Sequence, residues 1–587
     1  MIRATSSIST LVILAPALLA QSNPDFSTGP PNVPAVRPDF VPPDGFPSPA
    51  DGDDIRANTA TTSAQNETSL AVNPLDPLNW VGVANDYRFG GVETGWYTTT
   101  NGGQTWTSGT FGVDPGFSFS GDPCVAFDNN GDAHIACMMY DGPGGNDKVM
   151  SFNSTNGGLT WGAGVPIGIL PGYDKPQIEA DLASGSPFEN HLIVAWDHFG
   201  ATFSSDDIVV STSSNGGATW TTPQVINTGS TTGIGPDVAW GPNGEAYVMW
   251  ADRGVDEILI DRSFNGGATW GPDIKVADFV HVPDTLPGSP FRMFDVFAMH
   301  ADQSDGPYSG NIYVAYHTWT SGFGNHRADV LVSTSSDDGA TWSPGVKISS
   351  DGAQLNDQVM PGICVDPQGN VNVTYYDQRN DAADVLVWTW LSRSSDGGAT
   401  WRDIQISDVG WNPSPTEFGG TFIGDYIDTD CTNRTVLPFW CDGRSGSQDV
   451  YTDVVNLALF TNVDSLSAAT GGTVNFFINV GPNHGGENYL LLASGSGTSP
   501  GVTSGGINVP INQDFWTTLS VAFANSAIFP NSLGVLDAEG SSLAQMDSLG
   551  PFDPAFVGTN LDFSIITFGS DGVLTHATAP TGVSLNP

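Results

Sequence analysis

The sequence predicts an all-β chain: a β-propeller of seven blades, with six as the alternative, followed by a C-terminal β-sandwich. Three observations carry this prediction. An eight-residue segment recurs six times, as TTNGGQTW (99–106), STNGGLTW (154–161), SSNGGATW (213–220), SFNGGATW (263–270), SSDDGATW (335–342) and SSDGGATW (394–401). The 71 glycines, 41 prolines and 17 tryptophans among 587 residues suit short strands joined by tight turns, and no stretch sustains a helical period. Each segment sits in a longer unit of four strand-like runs, which cannot bury both faces of its sheet alone but can when several units are arranged radially.

The cleanest unit is GPDVAWGPNGEAYVMWADRGVDEILIDRSFNGGATWGPDIKVAD (235–278). Its strand-like runs are DVAW, AYVMWAD, EILIDRS and the residues after GGATW. Matching units begin near Glu67, Asp122, Lys175, Asp237, Asp295, Met360 and Phe422. The last lacks both the recurring segment and a fourth strand, which residues around 57 to 66 could supply to close the ring. Within the segment, Asn or Asp can bond the NH groups of its own turn, Gly supplies positive φ, and Trp is an anchor to bury against the neighbouring blade. None of these residues is an evident acid, base or ligand, so the segment reads as structural.

The flanking regions read differently. Arg3 precedes an apolar run, Leu11 to Ala20, that resembles an export signal, so residues 1–20 are expected to be cleaved and the protein secreted or held in the cell envelope. Residues 21–60 are rich in proline and read as a linker, with the propeller over 61–457. Residues 458–587 contain no Lys or Arg; TVNFFINV, NYLLLASG, FWTTLSVAF and LDFSIITF read as strands of a β-sandwich, with SGSGTSPGVTSGG as a flexible loop. No later run is long and apolar enough to suggest a membrane span. A net charge of −46 repels phosphate backbones, which excludes nucleic acid as a partner.

Five cysteines leave one unpaired. Cys124 and Cys137 flank the turn DNNG and read either as a disulfide or as two buried thiols; Cys431 and Cys441 are a second possible pair, with Cys364 free. No Cys/His spacing marks a zinc site. The acidic loops tolerate Ca²⁺, but no ligand spacing is specific, so no metal and no cofactor are assigned.

The pattern S/T-x-D/N-x-G-x-T-W is similar to the Asp-box of the bacterial neuraminidase repeat, and the resemblance covers about residues 66 to 456. It implies a sialidase-like glycoside hydrolase that removes terminal acidic sugars from glycans, with the active site on the face opposite the boxes. On that face the second strands end in Asp, and four of them place Arg one or two residues beyond: Arg88, Arg253, Arg379 and Arg444. These guanidinium groups read either as a grip on a substrate carboxylate or as ties to local Asp residues. Further candidates enter the blades: Asp122, Asp174, Lys175, Arg292, Asp295, Asp357, Asp425 and Tyr426, while Glu179 falls on an inner strand.

By position, the resemblance implies Tyr426 as nucleophile, aided by Asp425 and Glu417, with Asp122 as acid/base; a packing tyrosine is the other reading of Tyr426. The first unit reads NETSLAVNP where sialidases carry Arg-Ile-Pro, so no catalytic residue transfers by motif. A non-catalytic propeller that binds glycans or proteins remains the alternative. A polysaccharide lyase with His198 or His317 as base is a third reading.

Overall fold

A computed structural model describes residues 54–58 and 63–587, apart from 89, 142–146, 170, 200–205, 230–231, 284, 287, 290, 321–326, 352–355, 415, 433–434, 462, 464, 539 and 579. The export signal and most of the proline-rich linker lie outside the described residues. The chain divides into a unit ending at Val455 and a unit beginning at Asn456.

The first unit is built from seven sheets, six of four antiparallel strands and a seventh of five strands. Six run in sequence order, opening with Gln65–Val72, Phe119–Phe127, Tyr173–Ala180, Gly233–Trp240, Ala298–Ala301 and Gln358–Val365. The seventh contains Asp428–Cys431, Thr435–Asp442 and Asp449–Thr452, and its outer strand is Ile55–Arg56. Ile55 pairs with Thr452 and Arg56 with Tyr451, so residues the sequence reading placed in the linker are strand instead. The first strands of successive sheets contact one another in turn, and Gln65–Val72 meets the seventh sheet to close the ring. Between sheets lie separate apolar clusters, such as Val81, Ile135, Met139 and Phe152 between the first two. Burial between blades, rather than one central core, holds this unit together.

The recurring segments form one shared turn. In the sixth, Asp396 accepts from Thr400 N (2.8 Å) and Thr400 Oγ1 (2.6 Å), while Ser394 Oγ accepts from Gly398 N (2.9 Å). Gly398, at φ 88°, takes the left-handed conformation the turn requires. The segment tryptophans are half-buried rather than enclosed. Trp401 Nε1 donates to Gly398 O (3.0 Å), and Trp161 packs edge-on against Phe111 of the preceding blade.

The disulfide is Cys364–Cys431, joining the first strands of the sixth and seventh sheets. Cys124, Cys137 and Cys441 are buried thiols. Cys124 pairs across the hairpin with Ala136, so Cys137 faces the opposite side of the sheet, in a different apolar cluster. Cys431 pairs with Val436, five residues short of Cys441.

The second unit has a three-stranded sheet (Leu459–Thr461, Thr473–Asn479, Ser541–Asp547) and a six-stranded sheet centred on Asn488–Ser494 and Asn560–Phe568. Val474, Phe476 and Ile478 of the first pack with Leu491, Phe563 and Ile565 of the second, as in a β-sandwich. FWTTLSVAF is not a strand: Phe515–Ala522 is an α-helix capped by Asp514, which accepts from Trp516 N and Thr517 N. The stretch read as a flexible loop contains the strand Val502–Ser504, paired with Ile507–Val509. No helix among the described residues is long and apolar enough to cross a membrane.

Candidate active site

The opening strands of five blades are interrupted by a bulge, between Asn66 and Ser69, Gly121 and Cys124, Asp174 and Gln177, Ile234 and Asp237, and Val359 and Gly362. At the extra residue the backbone turns left-handed, at Glu67 (φ 55°), Asp122 (51°), Lys175 (47°), Gly235 (59°) and Met360 (54°). A bulge re-aims the side chain it carries, and a non-glycine residue in this region is held there at a cost by its surroundings. Three consecutive blades thus present an ionisable side chain at one structural position.

That position lies at the ring end opposite the recurring segments. Each opening strand begins beside the end of the second strand (Asn66 with Asn85, Asp174 with Asp197), whereas the segments follow the end of the third. The blade-to-blade connection carrying Arg292 and the segment carrying Asp425 contribute to the same cluster. Lys175 Nζ donates to Asp425 Oδ2 (2.6 Å); Arg292 Nε and Nη2 donate to Asp425 Oδ1 (2.9 Å) and Oδ2 (2.5 Å). Asp425 N donates to Glu67 Oε1 (3.2 Å), and Asn85 bridges Glu67 and Asp122 through its amide. The carboxyl of Asp122 shares hydrogen bonds with those of both Glu67 and Asp174.

These carboxyls do not titrate alike. Burial pushes Glu67 and Asp174 well above the usual range, and the neighbouring charge of Asp122 adds to this while Lys175 opposes it. Burial acts on Asp122 too, but Lys175 and the hydrogen bonds from Asp174, Glu67 and Asn85 outweigh it and hold Asp122 below the usual range. Asp425 is held low in the same way, by Lys175 and Arg292 against its burial. These directions favour protons on Glu67 and Asp174 and ionised Asp122 and Asp425, beside Lys175 and Arg292. Asp122 and Asp174 are half-buried, while Glu67, Lys175 and Asp425 are buried. Asp197, cross-strand from Asp174 and fully buried, is also raised by burial, and its Oδ1 has no hydrogen-bond partner in the structure.

Of the sequence candidates, Asp122, Asp174, Lys175, Arg292 and Asp425 belong to this cluster. Tyr426 lies beside it but is buried, its hydroxyl 3.4 Å from Pro123 O, and burial drives its phenol well above its usual range. Glu417 opens the short 3₁₀ helix Glu417–Gly420 and accepts from Ser447 Oγ (2.5 Å) and Gln448 N (2.9 Å), so it ties that turn to the seventh blade instead of assisting Tyr426.

The four arginines form no shared clamp. Arg88 pairs with Asp86 (2.5 Å), Arg379 with Asp377 (2.6 Å) and Asp403, and Arg444 with Asp442 (2.6 Å) and Asp54. In each of these three the Arg backbone NH also donates to the Asp two residues earlier, which makes Asp-x-Arg a closed local tie. Arg253 pairs with Asp295 (3.0 Å). His317 is buried, and burial lowers it to about 4; His198 stacks edge-on against Tyr173. Glu67 was not among the sequence-stated site residues. The available signal was its place at the opening of the first unit, in phase with Asp122 and Lys175.

No family model matches the sequence, and no curated protein matches it. Among solved structures, the chain is similar to a Hadza microbial sialidase (16% identity, 54% of this chain and 64% of that one, TM-score 0.37). It is also similar to the intramolecular trans-sialidase of Ruminococcus gnavus (12% identity, 61% and 97% covered, TM-score 0.39). A third is the α-L-arabinanase of Penicillium chrysogenum (12% identity, 69% and 98% covered, TM-score 0.36). The chain spans less than two thirds of the Hadza sialidase.

Proposed function

We propose that this protein is a secreted glycoside hydrolase whose chemistry is performed by the carboxyl cluster at the ring end away from the recurring segments. The supporting observation is a pair of half-buried carboxyls in hydrogen-bond contact that their surroundings push in opposite directions, Asp174 upward through burial and Asp122 downward, against its burial, through Lys175 and its hydrogen bonds. Environments that push two carboxyls apart in this way divide acid from base. Asp174 delivers its proton to the glycosidic oxygen as the bond from that oxygen to the anomeric carbon breaks. Once the leaving group has departed, Asp122 takes a proton from the water that forms the new bond to that carbon on the same face of the sugar. Two carboxyls in contact cannot stand the roughly 6.5–9.5 Å apart that attack from the opposite face needs. Asp122 then returns that proton to Asp174 through their shared hydrogen bond. Glu67 donates to Asp122 from the other side, and Lys175 keeps Asp122 ionised.

The acidic-sugar specificity implied by the sialidase resemblance drew on Arg88, Arg253, Arg379 and Arg444. Their pairing with aspartates favours the second reading at those positions, ties that stiffen the ring, and leaves a glycan-binding propeller as the alternative function.

The test is turnover of fluorogenic glycosides, a sialic-acid conjugate and neutral sugars side by side. Asp174→Asn and Asp122→Asn are each expected to lose roughly 100-fold or more of kcat/KM, the usual worth of a general acid or base, while still unfolding cooperatively. The wild-type rate should fall at low pH as Asp122 gains a proton and at high pH as Asp174 loses one. Arg379→Ala should lower the melting temperature and leave kcat/KM intact. Well-folded wild type with no turnover on any glycoside would leave a binding propeller.

A further inference from the structure

We propose that this site takes an uncharged sugar ring, stacked on Phe418 with its hydroxyls toward Asp122 and Asp174. The inference rests on the carboxyl cluster being the glycan site described above. Its first ground is charge. Lys175 and Arg292, the cations of the cluster, both bond Asp425, and the remaining arginines named above are held by their own carboxylates. Among the described residues of the cluster, a sugar carboxylate entering here would meet the carboxylate of Asp122 and no cation without a carboxylate already on it. Taking an uncompensated charge out of water costs several kcal/mol, so the charge balance selects against acidic sugars.

The second ground is the aromatic rim beside the cluster. Phe418 stands edge-on to Tyr87 (ring centroids 5.2 Å) and to Phe422 (5.7 Å). The Arg292 guanidinium lies 4.6 Å over Phe422 and 5.4 Å from Phe294, and Lys175 lies 5.0 Å over Phe294. Tyr87 joins this rim to the cluster, because its phenol, raised mainly by burial, also feels Glu67, Asp122 and Arg292.

Phe418 is unusual twice over. It is 45% exposed, and its backbone sits at φ 58°, a region that bulky residues rarely adopt. Strain and exposure at one residue are common where a surface is kept for a ligand. A sugar ring offers an apolar C–H face to stack on an aromatic ring, with hydroxyls at its edge to donate to carboxylates. Phe418, joined to the cluster through Tyr87, supplies the apolar half of that recognition, and Asp122 and Asp174 supply the polar half.

The test uses the full-length Asp174→Asn protein, so that bound glycoside is not consumed, and reads binding by saturation-transfer NMR. The probes are methyl glycosides of glucose, galactose, xylose and arabinose, set against methyl glucuronide, methyl galacturonide and methyl sialoside. Transfer to at least one neutral glycoside is expected, at least tenfold stronger than to any acidic one. Phe418→Ala, checked by an unchanged melting temperature, should weaken that binding about tenfold. Preference for an acidic glycoside, no transfer to any neutral one, or unaltered binding in Phe418→Ala would each overturn the inference. Neutral binding without turnover by the wild type would sink the hydrolase reading alone and leave the sugar class standing.

Discussion

Glu179 shows how one residue on the ring axis couples the fold to pH. It lies on the opening strand of the third blade, and burial, together with the charges of Asp430, Asp237 and Asp428, raises it to about 8. Asp428 and Asp430 belong to the seventh blade, so these charges meet across the centre of the ring. The folded protein keeps Glu179 protonated up to that pH, whereas the unfolded chain releases the proton above about 4.5. The folded state then binds the extra proton, so stability declines as pH rises between these values, by at most about 1.4 kcal/mol per unit. Glu179→Gln is expected to flatten this decline and to add about 2 kcal/mol or more at pH 8, with little change at pH 4. Urea unfolding at both pH values checks this, and an unchanged slope would exclude Glu179 as its source. Asp122 was legible at this scale because it opens a repeat unit. The state of its proton was not, because Lys175, Asp174 and Glu67 set it from two other blades.

At the scale of elements, the eight-residue turns were readable in full because every bond that defines them falls within the segment. The bulges were not, since a bulge is a relation between two strands, and its sequence trace is only a phase shared by Glu67, Asp122 and Lys175. The helix Phe515–Ala522 was misread because Phe, Trp, Val and two Thr favour a strand. Asp514 and Thr517 overrule that preference: each side chain bonds the other residue's backbone NH, and Trp516 and Val521 are buried on the helix. Asp514→Ala should cost about 1 kcal/mol, the usual worth of an N-cap. Hydrogen exchange should then quicken at the Trp516 and Thr517 amides, and unchanged protection there would mean that packing alone sets the helix start.

At the scale of the whole molecule, the ring is held shut in two ways. Ile55–Arg56 completes the seventh blade from the N-terminal side, and Cys364–Cys431 links the inner strands of the last two blades over 67 residues of sequence. Closing a loop of that length restricts the unfolded chain by roughly 4 kcal/mol in the chain-entropy account. The double variant Cys364→Ala/Cys431→Ala should therefore lose stability of about that order in thermal unfolding. An unchanged melting temperature would show that packing between blades closes the ring unaided.

The sequence by itself determined the repeat, its four strands, the chemistry of its turns and the end of the ring on which ionisable side chains gather. These features depend on residues close together in the chain and on periodic spacing, which local sterics and hydrogen bonding translate directly into structure. Only the tertiary structure decided which groups share a proton and which are locked in pairs. Lys175 reaches Asp425 across 250 residues and Glu67 meets Asp425 across 358, and a buried charge is governed by what surrounds it in space, whatever its distance along the chain.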